Sequence, residues 1–179
     1  MTLWVFGYGS LLWNPGFTPE ESVLARLEGY HRSFCMLSVH HRGTEEEPGL
    51  VLALDLQEGA SCTGLALKVR AEEEEQVLAY LRERELISSA YYETGVTLSL
   101  TDGREVPALA YVIDPEHRQY VQYDLERQAR LIARARGGRG PNDEYLTNTA
   151  SHLTELGIHD PDMDWLVARV RDISGSGGA

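Results

Sequence analysis

The chain has 179 residues, of which 42% are hydrophobic and 25% are charged, a size and composition typical of one globular domain. Its 28 acidic residues outnumber its 16 basic ones and leave a net charge of -12, which argues against nucleic acid or an anionic membrane as a partner. There is no apolar run of about 18 residues, no leader precedes Trp4, and only two cysteines are present, so we expect a cytoplasmic protein with reduced thiols.

The first third of the chain predicts β structure. A short β-prone run over residues 3–6 stops at a glycine loop that begins with Gly7, and residues 23–37 predict one bent strand followed by a polar loop. Two further runs, residues 49–55 and 62–69, predict a hairpin whose turn lies in the polar residues 57–61.

Helices and one more hairpin follow. Residues 71–85 predict a helix, because acidic residues fill its first turn and Val77, Leu78 and Leu81 form one apolar stripe. Asp102-Gly103 between two β-prone runs predicts a hairpin over residues 91–113. Three more helices are predicted over residues 125–136, 142–156 and 162–170, with Gly157 as a stop and Pro161 as a start.

These elements predict an α+β fold built on a small closed or half-closed β-barrel with peripheral helices. No internal repeat and no Pro- or Ser-rich linker divides the chain. We therefore expect a single domain over residues 1–174 and a flexible tail at residues 175–179.

The loop that starts at Gly7 presents consecutive backbone N–H groups at the end of a strand, an arrangement that suits a carboxylate or phosphate. It is not a dinucleotide fingerprint, because Leu12 replaces the third glycine. Ser10 lacks the spacing of a nucleophile elbow, although a triad of Ser10 with His40 or His41 and Asp55 stays possible. A structural turn without a ligand is the other interpretation.

Glu85 stands at the C-terminal end of the predicted helix, where the helix dipole disfavours an anion. The pKa of its carboxyl would rise if the site is also sheltered, which suits a general base. The alternative is that Arg82, Glu83, Arg84 and Glu85 form a solvated ion-pair face.

Other polar clusters are less informative. Arg42, followed by Gly43, is placed to hold a carboxylate with its guanidinium. His40 and His41 project to opposite sides of an extended chain, so we expect no metal site. Cys35 and Cys62 lie in apolar β-prone runs and are expected to be buried rather than catalytic.

Three segments together resemble the ChaC-like γ-glutamylcyclotransferases: Val5-Phe6-Gly7-Tyr8-Gly9-Ser10-Leu11, Tyr80-Leu-Arg-Glu-Arg-Glu85 and Asn142-Asp-Glu-Tyr-Leu146. The resemblance extends over about residues 4–170. It implies a γ-glutamylcyclotransferase-like β-barrel with peripheral helices, and an enzyme that cleaves glutathione into 5-oxoproline and cysteinylglycine without a metal or cofactor.

The same resemblance implies the roles of individual residues. Glu85 would be the catalytic acid/base. The substrate-binding residues would be Val5, Phe6, Gly7, Tyr8, Gly9, Ser10, Leu11, Arg42 and Tyr145, with core packing as an alternative for Tyr145. The stretch Leu86-Ile-Ser-Ser-Ala90 departs from the glycine-containing stretch of relatives. A Ser10-dependent hydrolase of small amides or esters, and a barrel that binds a small ligand without turnover, stay open as alternatives.

Overall fold

Five strands close into a barrel in a computed structural model that describes residues 2–86 and 89–177. The barrel order is β1-β3-β2-β4-β5. Its strands are β1 (Trp4–Gly7), β2 (Glu21–Ser38), β3 (Gly49–Lys68), β4 (Tyr91–Leu100) and β5 (Glu105–Ile113). The helices are α1 (Glu74–Leu86), α2 (Leu125–Arg134), α3 (Asn142–Glu155) and α4 (Pro161–Gly177), and two-residue strands β6 (Arg136–Gly137) and β7 (Gly140–Pro141) form a small hairpin. The predicted α+β barrel with peripheral helices is confirmed.

The described residues form two compact units. One comprises Met1–Ser33 and Ala53–Arg118, and the other comprises Phe34–Leu52 and Gln119–Ala179. The first unit contains β1, α1, β4 and β5, and the second contains α2, α3 and α4. The single domain over residues 1–174 with a tail at residues 175–179 stays a prediction.

The two faces of β5 pack into different cores, because alternate residues of a strand point to opposite sides. Val106, Ala108, Ala110 and Val112 belong to a cluster with residues of the other barrel strands. Tyr111 belongs instead to a cluster with residues of β1 and α1: Val5, Val77 and Leu81. Helix α1 therefore packs on one side of the barrel wall, and this contact determines where its last turn lies.

The hairpin predicted around residues 57–61 is wrong. Residues 49–68 form the single continuous strand β3, which neighbours β2 in the barrel, so residues 39–48 connect that pair. The polar residues Gln57 and Glu58 are exposed within the strand rather than in a turn. Gly59 has a φ of +85°, a conformation typical of a β-bulge, where a strand bends without ending.

The predictions of the β4–β5 hairpin and of the four helices are confirmed, although α4 continues to Gly177 instead of ending near residue 170. β4 and β5 pair from Tyr91↔Ile113 to Ser99↔Glu105, and Gly103 in their turn has a φ of +96°. At the end of α3 the N–H of Gly157 donates to the Thr154 carbonyl at 3.0 Å. Helix α4 begins at Pro161 as predicted. In the described part of the chain, no helix is both long and apolar enough to cross a membrane.

Candidate active site

The glycine loop follows directly from β1, whose four residues are all buried. After Gly7 the chain turns into a short 3-10 helix, Ser10–Leu12, in which the N–H of Leu12 donates to the Gly9 carbonyl at 2.9 Å. The N–H groups of Ser10 and Leu11 precede this first bond, so the turn itself does not use them. A side chain at Gly64 would collide with the carbonyl oxygen of Gly7, which explains how β3 can approach the loop closely.

Arg32 of β2 supports this loop. Its residue is only 6% exposed, and its Nη1 donates hydrogen bonds of 3.0 Å to the carbonyls of Tyr8 and Thr63. Because the carbonyl and the following N–H of a trans peptide point in opposite directions, the N–H of Gly9 faces away from Arg32. Sequence reasoning did not assign this role to Arg32, since an arginine in a β-prone run has no local signal for burial.

Glu85 lies in the last turn of α1 with a side chain only 15% exposed. Burial raises the pKa of its carboxyl, and the positive charge of Arg84 opposes that rise. The sheltered environment on which the sequence prediction depended is therefore present. Glu83, two residues earlier, is exposed, as expected for the opposite side of the helix.

Arg84 connects the end of α1 to the glycine loop. Its Nη2 donates to Ser10 Oγ at 2.8 Å, its Nη1 donates to the Asn14 carbonyl at 2.6 Å, and its Nε lies 3.6 Å from Glu85 Oε1. The structure thus brings Glu85 and the loop together through one guanidinium. Ser10 therefore accepts from a cation, which has no lone pair to take the serine proton, whereas a hydrolytic triad needs a base at that position.

A second network lies on the other side of the same helical turn, and sequence reasoning missed it. Arg82 donates to both carboxylate oxygens of Glu93, at 3.1 and 3.0 Å, and the Tyr111 hydroxyl donates to Glu93 Oε1 at 2.9 Å. Tyr111 is only 1% exposed. The pattern that predicted a solvated ion-pair face at residues 82–85 carried no signal for partners on β4 and β5.

Arg42 and Tyr145 contact each other in the second unit. The guanidinium carbon of Arg42 lies 5.7 Å from the centre of the Tyr145 ring, and its Nη1 donates to the Pro141 carbonyl at 3.1 Å. The Tyr145 hydroxyl accepts from the Leu52 N–H at 3.2 Å, and its ring packs edge-on against Phe34. These contacts favour the core-packing role for Tyr145, while a substrate-binding role for either residue stays a prediction.

Within residues 2–86 and 89–177, no group of three or more His, Cys, Asp and Glu side chains is arranged to hold a metal ion. Cys35 and Cys62 form no disulfide and are 2% and 3% exposed, so their predicted burial is confirmed. Ile87 and Ser88, part of the stretch that departs from relatives, lie outside the described residues.

Comparison with known proteins identifies the family. The family model described as "ChaC-like protein" matches residues 3–173. The chain belongs to the ChaC-like family. Among curated relatives, the glutathione-specific gamma-glutamylcyclotransferase of Escherichia coli K12 is 40% identical over 173 residues, which cover 96% of this chain and 74% of the relative. Glutathione-specific gamma-glutamylcyclotransferase 1 of Homo sapiens is 37% identical over 159 residues, covering 87% of this chain and 71% of the relative.

Solved structures share the fold. The crystal structure of a gamma-glutamyl cyclotransferase specific to glutathione from yeast matches with a TM-score of 0.84 at 22% identity, covering 96% of both chains. A structure described as gamma-glutamyl cyclotransferase matches with a TM-score of 0.60 at 16% identity. The γ-glutamylcyclotransferase-like barrel that the sequence resemblance implied is therefore confirmed for this ChaC-like chain.

Proposed function

We propose that this ChaC-like chain is a glutathione-specific γ-glutamylcyclotransferase that converts glutathione into 5-oxoproline and cysteinylglycine. Curated relatives at 37–40% identity carry that name in Escherichia coli and Homo sapiens. The structural observation that carries the proposal is Glu85, a sheltered carboxylate with a raised pKa, held beside the glycine loop by Arg84.

The chemistry requires one group that accepts and then returns a proton. The α-ammonium of the γ-glutamyl group must lose a proton before its nitrogen can attack the γ-carbonyl carbon. Glu85 accepts this proton, the new C–N bond closes the five-membered ring, and the carbonyl oxygen becomes an oxyanion. When the oxyanion collapses, the bond to the cysteinyl nitrogen breaks and that nitrogen takes the proton from Glu85. Glu85 then takes the second proton of the ring nitrogen and passes it to the released amine, which leaves as an ammonium group. No water is consumed.

The protein must also fold the substrate back on itself, since the attack is intramolecular. We assign substrate binding to the segment from Val5 to Leu11, where loop N–H groups hold the γ-glutamyl carboxylate or the oxyanion and the Tyr8 hydroxyl orients the substrate. Arg84 adds a positive charge beside this loop. Arg42 and Tyr145 remain additional substrate-binding candidates.

The proposal includes no metal and no cofactor, because acid/base chemistry at Glu85 completes the reaction. Its partner is the small-molecule substrate, and the net charge of -12 argues against nucleic acids and anionic membranes. We also propose a cytoplasmic location, since Cys35 and Cys62 form no disulfide and the cytosol holds a reducing glutathione pool.

The decisive experiment incubates the purified chain with glutathione, with and without a chelator, and quantifies 5-oxoproline, glutamate and cysteinylglycine. We expect 5-oxoproline and cysteinylglycine in equal amounts, unaffected by chelation. Release of free glutamate would instead indicate hydrolysis by Ser10. Binding of glutathione without any product would indicate a ligand-binding barrel.

Substrate preference needs its own measurement, because residues 87–88 lie outside the described structure. We expect glutathione to be preferred over γ-glutamylalanine. Comparable kcat/KM values for the two peptides would contradict the assignment of glutathione specificity while leaving the cyclisation chemistry intact.

A further inference from the structure

Two carboxylates near the end of α1 have opposite electrostatic environments. Burial raises the pKa of Glu85, whereas hydrogen bonds from Arg82 and Tyr111 outweigh burial and lower the pKa of Glu93. Glu93 therefore stays ionised over the pH range in which Glu85 exchanges its proton. Paired groups whose environments separate their pKa values in this way are characteristic of acid/base sites.

The position of Glu93 is set by three elements. It lies in β4 directly opposite Tyr111 of β5 in the strand register, and Arg82 of α1 donates hydrogen bonds to both of its carboxylate oxygens. Two parallel N–H bonds to one carboxylate define direction as well as distance. Arg82 is 52% exposed but the Glu93 side chain only 19%, so the carboxylate is the fixed partner.

The proton of the Tyr111 hydroxyl is directed to Glu93 at 2.9 Å. Burial and the hydrogen bond to Glu93 raise the pKa of Tyr111, and the negative charge of Glu85 adds to that rise. The charged group that acts on Glu85 is Arg84 of its own helix, and Tyr111 of β5 is the titratable group that responds to the Glu85 charge.

We propose that Arg82, Glu93 and Tyr111 form a positioning network that ties the last turn of α1, and with it Glu85, to β4 and β5. This inference rests on the proposed cyclotransferase function. The network holds the last turn of α1 against the barrel wall and keeps the Glu85 carboxyl in its sheltered position. Tyr111 and Glu93 act through Glu85 and are positioning residues.

The test uses Tyr111→Phe and Glu93→Gln in the full chain. Tyr111→Phe keeps the buried ring, and Glu93 keeps its bonds from Arg82. The matched control is Asp102→Asn, which alters another arginine–carboxylate pair of the same hairpin, with Arg104 at 2.7 Å, in the β4–β5 turn. Asn can still accept the Arg104 N–H that Asp102 accepts at 3.1 Å.

We expect both network variants to lower kcat about 10- to 100-fold with KM changed less than about 3-fold, the range for a misplaced catalytic group. The acidic limb of the pH–rate profile should move to lower pH, because a looser last turn of α1 exposes Glu85 to water and removes part of the burial that raises its pKa. The double variant should be no slower than the slower single variant, since both act through one path. Asp102→Asn should match the wild type.

A second measurement keeps the inference separate from the proposed function. Carbon-13 NMR of glutamate-labelled protein follows the Glu85 carboxyl, identified by its loss in Glu85→Gln, and its pKa should fall in both network variants. An unmoved Glu85 titration, or a purely KM effect, would overturn the network. If the wild type releases no 5-oxoproline, the cyclotransferase proposal fails, and the NMR titration still decides whether the network acts on Glu85.

Discussion

Arg84 and Ser10 are joined by a hydrogen bond of 2.8 Å between residues 74 positions apart in the chain. The bond links the last turn of α1, which carries Glu85, to the loop that follows β1. Because a guanidinium only donates, the Ser10 oxygen is held as an acceptor, and the loop and the carboxylate are placed as one unit.

The first prediction concerns Ser10→Ala. Removing a hydrogen bond to a charged group costs about 1.5–3 kcal/mol, so we expect kcat/KM for 5-oxoproline release to fall about 10- to 100-fold. Loss of a serine nucleophile would instead cost on the order of a million-fold. Ser99→Ala, on the exposed side of β4, is the control. Covalent labelling of the wild type by a serine-directed reagent would also favour the hydrolase.

The second prediction separates two glutamates of α1. Glu85→Gln keeps the size and polarity of the side chain but cannot accept a proton, so turnover should fall about 100- to 10,000-fold while circular dichroism and glutathione affinity are preserved. The turnover of Glu83→Gln should fall far less, because Glu83 is exposed. Normal turnover by Glu85→Gln would disprove its role, and joint loss of folding and binding would make it structural.

The third prediction follows from the raised pKa of Glu85. At a pH below the pKa of this carboxyl in the unfolded chain, near 4.5, the carboxyl is protonated in the folded and the unfolded states and does not affect the free energy of unfolding. As the pH rises through the raised pKa of Glu85 in the folded protein, ionisation of Glu85 destabilises the native state, since the unfolded chain releases this proton more readily. Glu85→Gln should therefore melt at a higher temperature than the wild type at pH 8 and at the same temperature at pH 4. An equal difference at both pH values would contradict the raised pKa.

The fourth prediction concerns the two buried thiols. Cys35 and Cys62 are at most 3% exposed, so neither should form a covalent intermediate. Replacing both with alanine should lower the melting temperature, because each substitution removes buried volume. We expect kcat to stay within about 3-fold of the wild type, because neither thiol takes part in the reaction. A double variant that folds normally yet has lost turnover would show that a thiol is required.

The fifth prediction concerns Asn142, which the sequence marked only through the family resemblance. Its side chain is fully buried, accepts from the Leu50 N–H and donates to the Leu50 carbonyl, both at 2.8 Å. Asn142→Ala leaves both backbone groups without this partner and should lower the free energy of unfolding by about 2 to 4 kcal/mol. The exposed Asn148 of the same helix provides the control; equal effects of Asn142→Ala and Asn148→Ala in urea unfolding would contradict the role.

The sequence alone determined the features that depend on neighbouring residues. Asp102-Gly103 predicted the β4–β5 hairpin, since a glycine at positive φ permits the tight turn, and Gly157 and Pro161 marked helix ends through their backbone chemistry. The motif around Gly7 to Leu11 and the motif ending at Glu85 indicated the family, which the match over residues 3–173 confirmed.

Only the tertiary structure decided the features that depend on distant partners. The polar residues 57–61 resemble a turn locally, yet β3 continues through them to residue 68, because Gly59 accommodates a bend within a strand that pairs in the barrel. The environment of Glu85 was equally hidden: burial on the barrel wall and contact with Arg84 set its pKa. Bonds such as Arg82–Glu93 and Asn142–Leu50 join separate elements, and only the folded chain brings those elements within hydrogen-bonding distance.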